Sequence, residues 1–208
     1  MRVCVFAAVF ALLISADAAS ADCNGEFTKA NKMKVEAGPF RVTDRVQTIF
    51  EIDGKKSPAP PSVQMTEFVP PTSVHFRKET AILNEEWVFL GKEGWTKEDA
   101  SWKSIPASEM GALVEGGVYE TYFYATELTD LVCHGESVLN GRKVHSYSYN
   151  VSTEGLLAPV ATAVTVYFDA ETGRPLASRS DKSLTKSSMQ HTETVLEFDP
   201  SIKIERPQ

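Results

Sequence analysis

From residue 40 to residue 52 the chain alternates. Phe40, Val42, Asp44, Val46, Thr48, Phe50 and Ile52 fall on one parity, and Arg41, Thr43, Arg45, Gln47, Ile49 and Glu51 on the other. A two-residue period of this kind predicts a strand with one largely apolar and one charged face. Asp53-Gly54 follows as a hairpin signal, with residues 55–61 lengthening the connection. Further strand-like runs cover residues 63–69, 73–78, 80–83 and 86–90, and two short segments surround Trp95 and Trp102. Pro70-Pro71, Asn84-Glu85 and the stretch 91–94 punctuate them.

Ahead of these strands, residues 24–37 have mixed helical character. Phe27, Ala30 and Met33 make a narrow apolar stripe, and Gly38-Pro39 ends it. The middle, residues 106–130, reads two ways. Tyr119, Thr121, Phe123 and Ala125 alternate as in a strand, whereas the preferred reading is a short helix from Val118 to about Leu128. Gly116-Gly117 before it is a candidate hinge. Beyond, residues 131–139 and 142–151 flank Asn140-Gly141, the strongest hairpin signal in the chain. Residues 161–169 and 174–183 flank a turn at 170–173, and residues 189–198 form the last long run. The expected fold class is mainly β with a few helices. About ten strands joined by tight turns predict an antiparallel meander and no βαβ units.

The N-terminus changes the picture of where this fold resides. Arg2, an apolar run over residues 3–14 and Ala19-Ser20-Ala21 read as a secretory signal peptide, residues 1–21. The run is too short to span a bilayer. A lipid anchor on Cys23 would want small residues directly before the cysteine, and Asp22 stands there. Removing the first 21 of 208 residues leaves 187, which fits a single domain over 22–208 with enough chain for a core. The net charge of −7 is unchanged, since Arg2 and Asp17 leave together. An acidic chain argues against nucleic acid and anionic lipid surfaces as partners.

Cys4 leaves with the signal, so Cys23 and Cys133 remain. An even pair in an exported chain predicts a disulfide. The alternatives are two free thiols, or a metal site at Cys133-His134, which lacks the second spaced pair that zinc uses. No phosphate loop, dinucleotide fingerprint, zinc-protease helix or nucleophile elbow occurs. His75, His134, His145 and His191 all fall in expected strands without ligand neighbours at helical spacing. Glu85-Glu86 reads as a solvated turn more readily than as a catalytic pair. Asn150-Val151-Ser152 is a glycosylation sequon that matters only in a eukaryotic source. No catalytic residue, metal or cofactor is expected, and the chain is not read as an enzyme. The positive signal is aromatic: strand residues such as Phe50, Trp87 and Tyr147 make either an ordinary β core or the wall of an apolar cavity. Periodicity leaves both readings open.

Several stretches together resemble the periplasmic lipoprotein-carrier family, the LolA-like and LolB-type half-barrels. Gly38-Pro39-Phe40-Arg41-Val42 resembles the opening of its first long strand. Glu67-Phe68-Val69-Pro70-Pro71-Thr72-Ser73-Val74-His75-Phe76 resembles its strand–Pro–strand step. Gly94-Trp95 with Ser101-Trp102-Lys103, then Val166-Tyr167-Phe168-Asp169 through Gly173-Arg174-Pro175, and Phe198-Asp199-Pro200 follow in family order. Pro70 stands where the carrier itself has an Arg, so the resemblance is to a divergent member. It implies an incomplete β-barrel with helices plugging the concave face. It also implies a periplasmic carrier that binds an acyl chain, lipid or lipoprotein without covalent chemistry. On that basis Phe50, Met65, Phe76, Trp87 and Phe89 are the candidate cavity residues. A monomer is expected, with an envelope membrane protein as the possible partner. The runner-up is an envelope sensor that recognises lipidated or misfolded proteins through the same half-barrel.

Overall fold

The computed structural model describes residues 22–80, 83–106, 120–125, 127–153 and 160–208. Residues 1–21, the Gly116-Gly117 pair and the rest of 107–119 lie outside the described residues. One helix, α1 (Cys23–Asn31), and a single 3-10 turn (Val35–Ala37) precede β1 (Phe40–Ile52). Then come β2 (Lys55–Pro58), β3 (Ser62–Val69), β4 (Ser73–Glu79), β5 (Asn84–Leu90), β6 (Glu93–Glu98) and β7 (Ser101–Ser104). The remaining strands are β8 (Thr129–Leu139), β9 (Arg142–Thr153), β10 (Val160–Asp169), β11 (Pro175–Thr185) and β12 (Ser188–Phe198).

All twelve strands form one antiparallel sheet in the order β7-β6-β5-β4-β3-β1-β12-β11-β10-β9-β8, with β2 paired to β1. Two meanders, β3 to β7 and β8 to β12, are thus joined by β1, which pairs with β3 on one side and β12 on the other. The ends β7 and β8 do not meet, so the sheet stays open as a half-barrel. Asp53-Gly54 and Asn140-Gly141 each make a two-residue hairpin. Their φ values of 51° and 71°, and of 49° and 80°, match a two-residue turn with both residues left-handed. The first of these corrects the sequence reading. Residues 55–58 belong to no long loop but return at once as β2. Thr80 and Leu83, expected at the ends of a strand, instead bracket the β4–β5 connection, where the Thr80 amide donates to the Leu83 carbonyl.

The second correction concerns residues 120–125, expected to be helical. They form no helix but a turn, one bridge (Thr121 with Lys32) and two bends, and clamp onto the end of α1. The amide of Met33 donates to the Glu120 carbonyl, and that of Tyr122 to the Asn31 carbonyl. The buried side chain of Asn31 donates to the Phe123 carbonyl and accepts from the Phe123 amide, both at 2.8 Å. Alternation explains the outcome: Phe123 is buried edge-on against Phe168, while Tyr124 faces solvent. A helix would have sent both rings to neighbouring directions and left the Asn31 amide without partners.

The helix and this segment cover one face of the sheet, called the inner face below. Phe27 of α1 sits between Tyr147 and Tyr149 of β9, with ring centroids 5.4 and 5.2 Å away. Cys23 and Cys133 form a disulfide, with Cα atoms 5.8 Å apart, tying α1 to β8. Tyr147 adds a second tie, its hydroxyl donating to Glu26 at 2.6 Å.

The outer face carries a ladder of charges that runs beside the buried Val88 and Trp95. Arg41 donates from Nε and Nη2 to one oxygen of Glu67, at 3.0 and 2.6 Å. His75 bridges Glu67 (3.5 Å) and Glu86 (2.9 Å), and Lys97 donates to Glu86 at 2.7 Å. The tail 199–208 reaches over this face, where Arg206 lies 5.0 Å above the Trp95 ring. Burial would raise the Glu67 and Glu86 carboxyls. The hydrogen bond and charge of Arg41, with Arg77 and His75, outweigh it at Glu67, and Lys97 with His75 at Glu86, so both lie below the ordinary value. A folded-state pKa below the unfolded one adds stability above the unfolded pKa, and that stability is lost as pH falls through the folded pKa. The urea midpoint is therefore expected to drop between about pH 5 and pH 3, and the drop to shrink in Glu67→Gln. An unchanged pH slope in that variant would assign the loss to other carboxyls.

Candidate functional site

Strand register sorts the inner face into rows that run across the sheet. The first row is Phe198, Phe40, Phe68, Val74 and Phe89, contributed in order by β12, β1, β3, β4 and β5. It lies in the packed core under α1 and residues 120–125; Phe40 stacks on Phe68 at 4.8 Å and meets Tyr122 edge-on at 5.6 Å. The second row is Leu196, Val42, Thr66, Phe76 and Trp87. Here the core thins out. Val42, Phe76 and Trp87 are only half-buried, and Phe76 stacks on Trp87 with centroids 4.9 Å apart. The third row is Thr194, Asp44, Gln64, Lys78 and Glu85. Within two residues along each strand the face turns from aromatic to polar.

This sorting places the five candidate cavity residues. Phe76, Trp87 and Phe89 come together on the inner face in the first two rows. Phe50 shares the face but lies eight residues beyond Val42, roughly 27 Å along β1 at ~3.4 Å per residue. It is 43% exposed there. Met65 stands on the outer face: its register partners are Thr43 and Arg77, while its inner-facing neighbour Thr66 is paired with Val42 and Phe76. Val42 and Asp44 share this face and were passed over as candidates in the sequence, although both belong to the parity that carries Phe40 and Val46.

Asp44 is the one acid in the middle of this face. Thr194 Oγ1 donates to its Oδ1 at 2.6 Å. Burial pushes the carboxyl above its ordinary range, and the Thr194 hydrogen bond offsets only part of that. No group of three or more His, Cys, Asp or Glu side chains able to hold a metal occurs among the described residues. The arrangement offers apolar contact, a stacked aromatic pair and one acceptor.

No family model and no curated protein sequence matches the chain. Among solved structures, it is similar to the Mycobacterium tuberculosis lipoprotein LppX, with a TM-score of 0.51 and 13% identity over 89% of this chain and 100% of that one. It is also similar to LprF from Mycobacterium bovis (TM-score 0.47, 12% identity, 88% and 97% covered). A third match is a LolA superfamily protein from Nitrosomonas europaea (0.39, 8%, 85% and 93%). The likeness to LppX runs the full length of that chain and shows a shared fold.

Proposed function

We propose that this chain is an exported, periplasmic binding or carrier protein for a hydrophobic ligand, such as the acyl chain of a lipid or lipoprotein. The ligand is held without covalent chemistry on the inner face of the half-barrel. The observation that carries this reading is the half-buried, stacked Phe76–Trp87 pair at the border of the packed core. Such a pair leaves aromatic surface where an ordinary core would have closed over it. Each CH₂ group transferred there from water gains about 0.8 kcal/mol. A chain of a dozen carbons can therefore be drawn from water by contact area alone. The signal-like residues 1–21 and the disulfide-forming Cys23 and Cys133 fit an oxidising compartment. The residues resembling the lipoprotein-carrier family point the same way. An envelope membrane protein is the natural recipient or donor of such a ligand.

Native mass spectrometry of the mature protein, purified from a periplasmic extract without detergent, tests this. A bound species with the mass of a lipid or acyl chain, lost in organic solvent, is expected. Trp87→Ala should lower the bound fraction about tenfold. A clean ligand-free mass, unchanged after lipids are offered, would overturn the carrier reading in favour of a protein-recognition module.

A further inference from the structure

The third row of the inner face poses a physical question. A carboxylate has been taken partly out of water, beside two valines on its own strand, and given a single hydrogen-bond donor. Asp44 Oδ1 accepts from Thr194; no donor among the described residues meets Oδ2. The side chains that face it across the sheet, Gln64 on β3 and Thr194 on β12, are uncharged. So are the next ones along, Val42, Val46, Thr66, Thr192 and Leu196. The first cations on this face, Lys78 and Lys182, stand two strands away on β4 and β11. Lys78 is already paired with Glu85 at 3.8 Å. By sequence, residues 81–82, 107–119, 126 and 154–159 contain no Lys, Arg or His. Three other acids of the sheet that are buried or half-buried are matched: Glu67 has Arg41, Glu86 has Lys97 and Asp169 has Arg142.

We propose that Asp44, held by Thr194, is the head-group acceptor of the ligand site, and that the ligand is a single-chain amphiphile with an ammonium head. This rests on the reading of the preceding subsection that the inner face holds an apolar chain. The rows supply the geometry. A chain lying over Trp87 and Phe76 and crossing Thr66 and Val42, two strands on and roughly 10 Å at ~4.8 Å per strand, reaches the third row at Asp44, where the free carboxylate oxygen accepts a charge-assisted N–H hydrogen bond. A carboxylate head in the same place would meet Asp44 as a like charge. Burial raises the Asp44 carboxyl above its ordinary range, as expected of an acid awaiting a partner.

Binding of dodecylammonium and dodecanoate, equal in chain length, is measured at pH 7 below their micellar concentrations by isothermal titration. The protein as purified is expected to bind the amine about tenfold more tightly than the acid. In Asp44→Asn the two affinities should become equal within a factor of about two. Asp181→Asn makes the same change in net charge on the outer face, and there the tenfold preference should persist. Equal affinities in the unaltered protein, a preference that survives in Asp44→Asn, or an equal loss in Asp181→Asn would each overturn the inference. The first of these needs no variant to fold. Failure to bind either chain would sink the carrier reading as well, whereas binding both equally would sink the head-group assignment only.

Discussion

Phe27→Ala is expected to cost about 3–5 kcal/mol of unfolding free energy, the range for removing a fully enclosed aromatic side chain. Phe27 is 1% exposed and wedged between Tyr147 and Tyr149. Its removal leaves a cavity that its rigid neighbours fill poorly. Tyr147 is fixed by Glu26, the residue preceding Phe27, and Tyr149 donates to the Tyr124 carbonyl at 2.9 Å. The consequence reaches past stability. The helix and residues 120–125 are what close the inner face at the first row, so loosening α1 should also uncover Phe40 and Phe68. Urea unfolding should show a lowered midpoint at an unchanged slope. A lowered slope would mean that α1 has already come away in the native state, and that the sheet stands without it.

The second large effect is covalent. Replacing both Cys23 and Cys133 with Ala is expected to lower stability by about 2–4 kcal/mol. The bond joins residues 110 apart in sequence, so its loss frees a long stretch of the unfolded chain. Cys23 and Phe27 lie four residues apart on α1 and therefore on the same face of the helix. The bond holds the start of the helix and the aromatic wedge its middle, one turn on. Their effects should couple, because a helix released at one of these points gains less from being held at the other. Equilibrium unfolding of the single, double and combined variants measures this. Loss of under about 1 kcal/mol in the Cys-free protein would mean that the strand pairing of β8 and the docking of α1 already hold these residues together in the unfolded ensemble.

How much of this was readable in advance differs from element to element. The long strands declared themselves by parity, since alternation on a half-buried sheet is a local property of each run. Asn140-Gly141 announced its turn because few other residue pairs adopt two left-handed conformations in succession. The pairing of Cys23 with Cys133 needed only arithmetic once the signal-like segment was set aside. Asp53-Gly54 was an equally good turn signal, yet β2 was missed. Residues 55–58 are Lys-Lys-Ser-Pro and all exposed, so no hydrophobic alternation marks them as strand. They pair with β1 through backbone alone.

Residues 120–125 were misjudged for a different reason. Their conformation is set by Asn31, about 90 positions earlier, whose side chain supplies the hydrogen bonds that a helix would have supplied from within. Nothing local carries that information. The candidate site shows the same division. That Val42, Asp44 and Phe50 share a face follows from the sequence of β1 by itself. That Phe76 and Trp87 join them, while Met65 does not, depends on register between strands. A slip of one residue would exchange the faces. The sequence by itself determined the strands, the hairpins, the cysteine pair and the parity of every residue within its own strand, because these are fixed by near neighbours along the chain. Only the tertiary structure decided which parities meet, where the packed core ends and that Asp44 faces no cation, because those facts are set by contacts between segments distant in sequence.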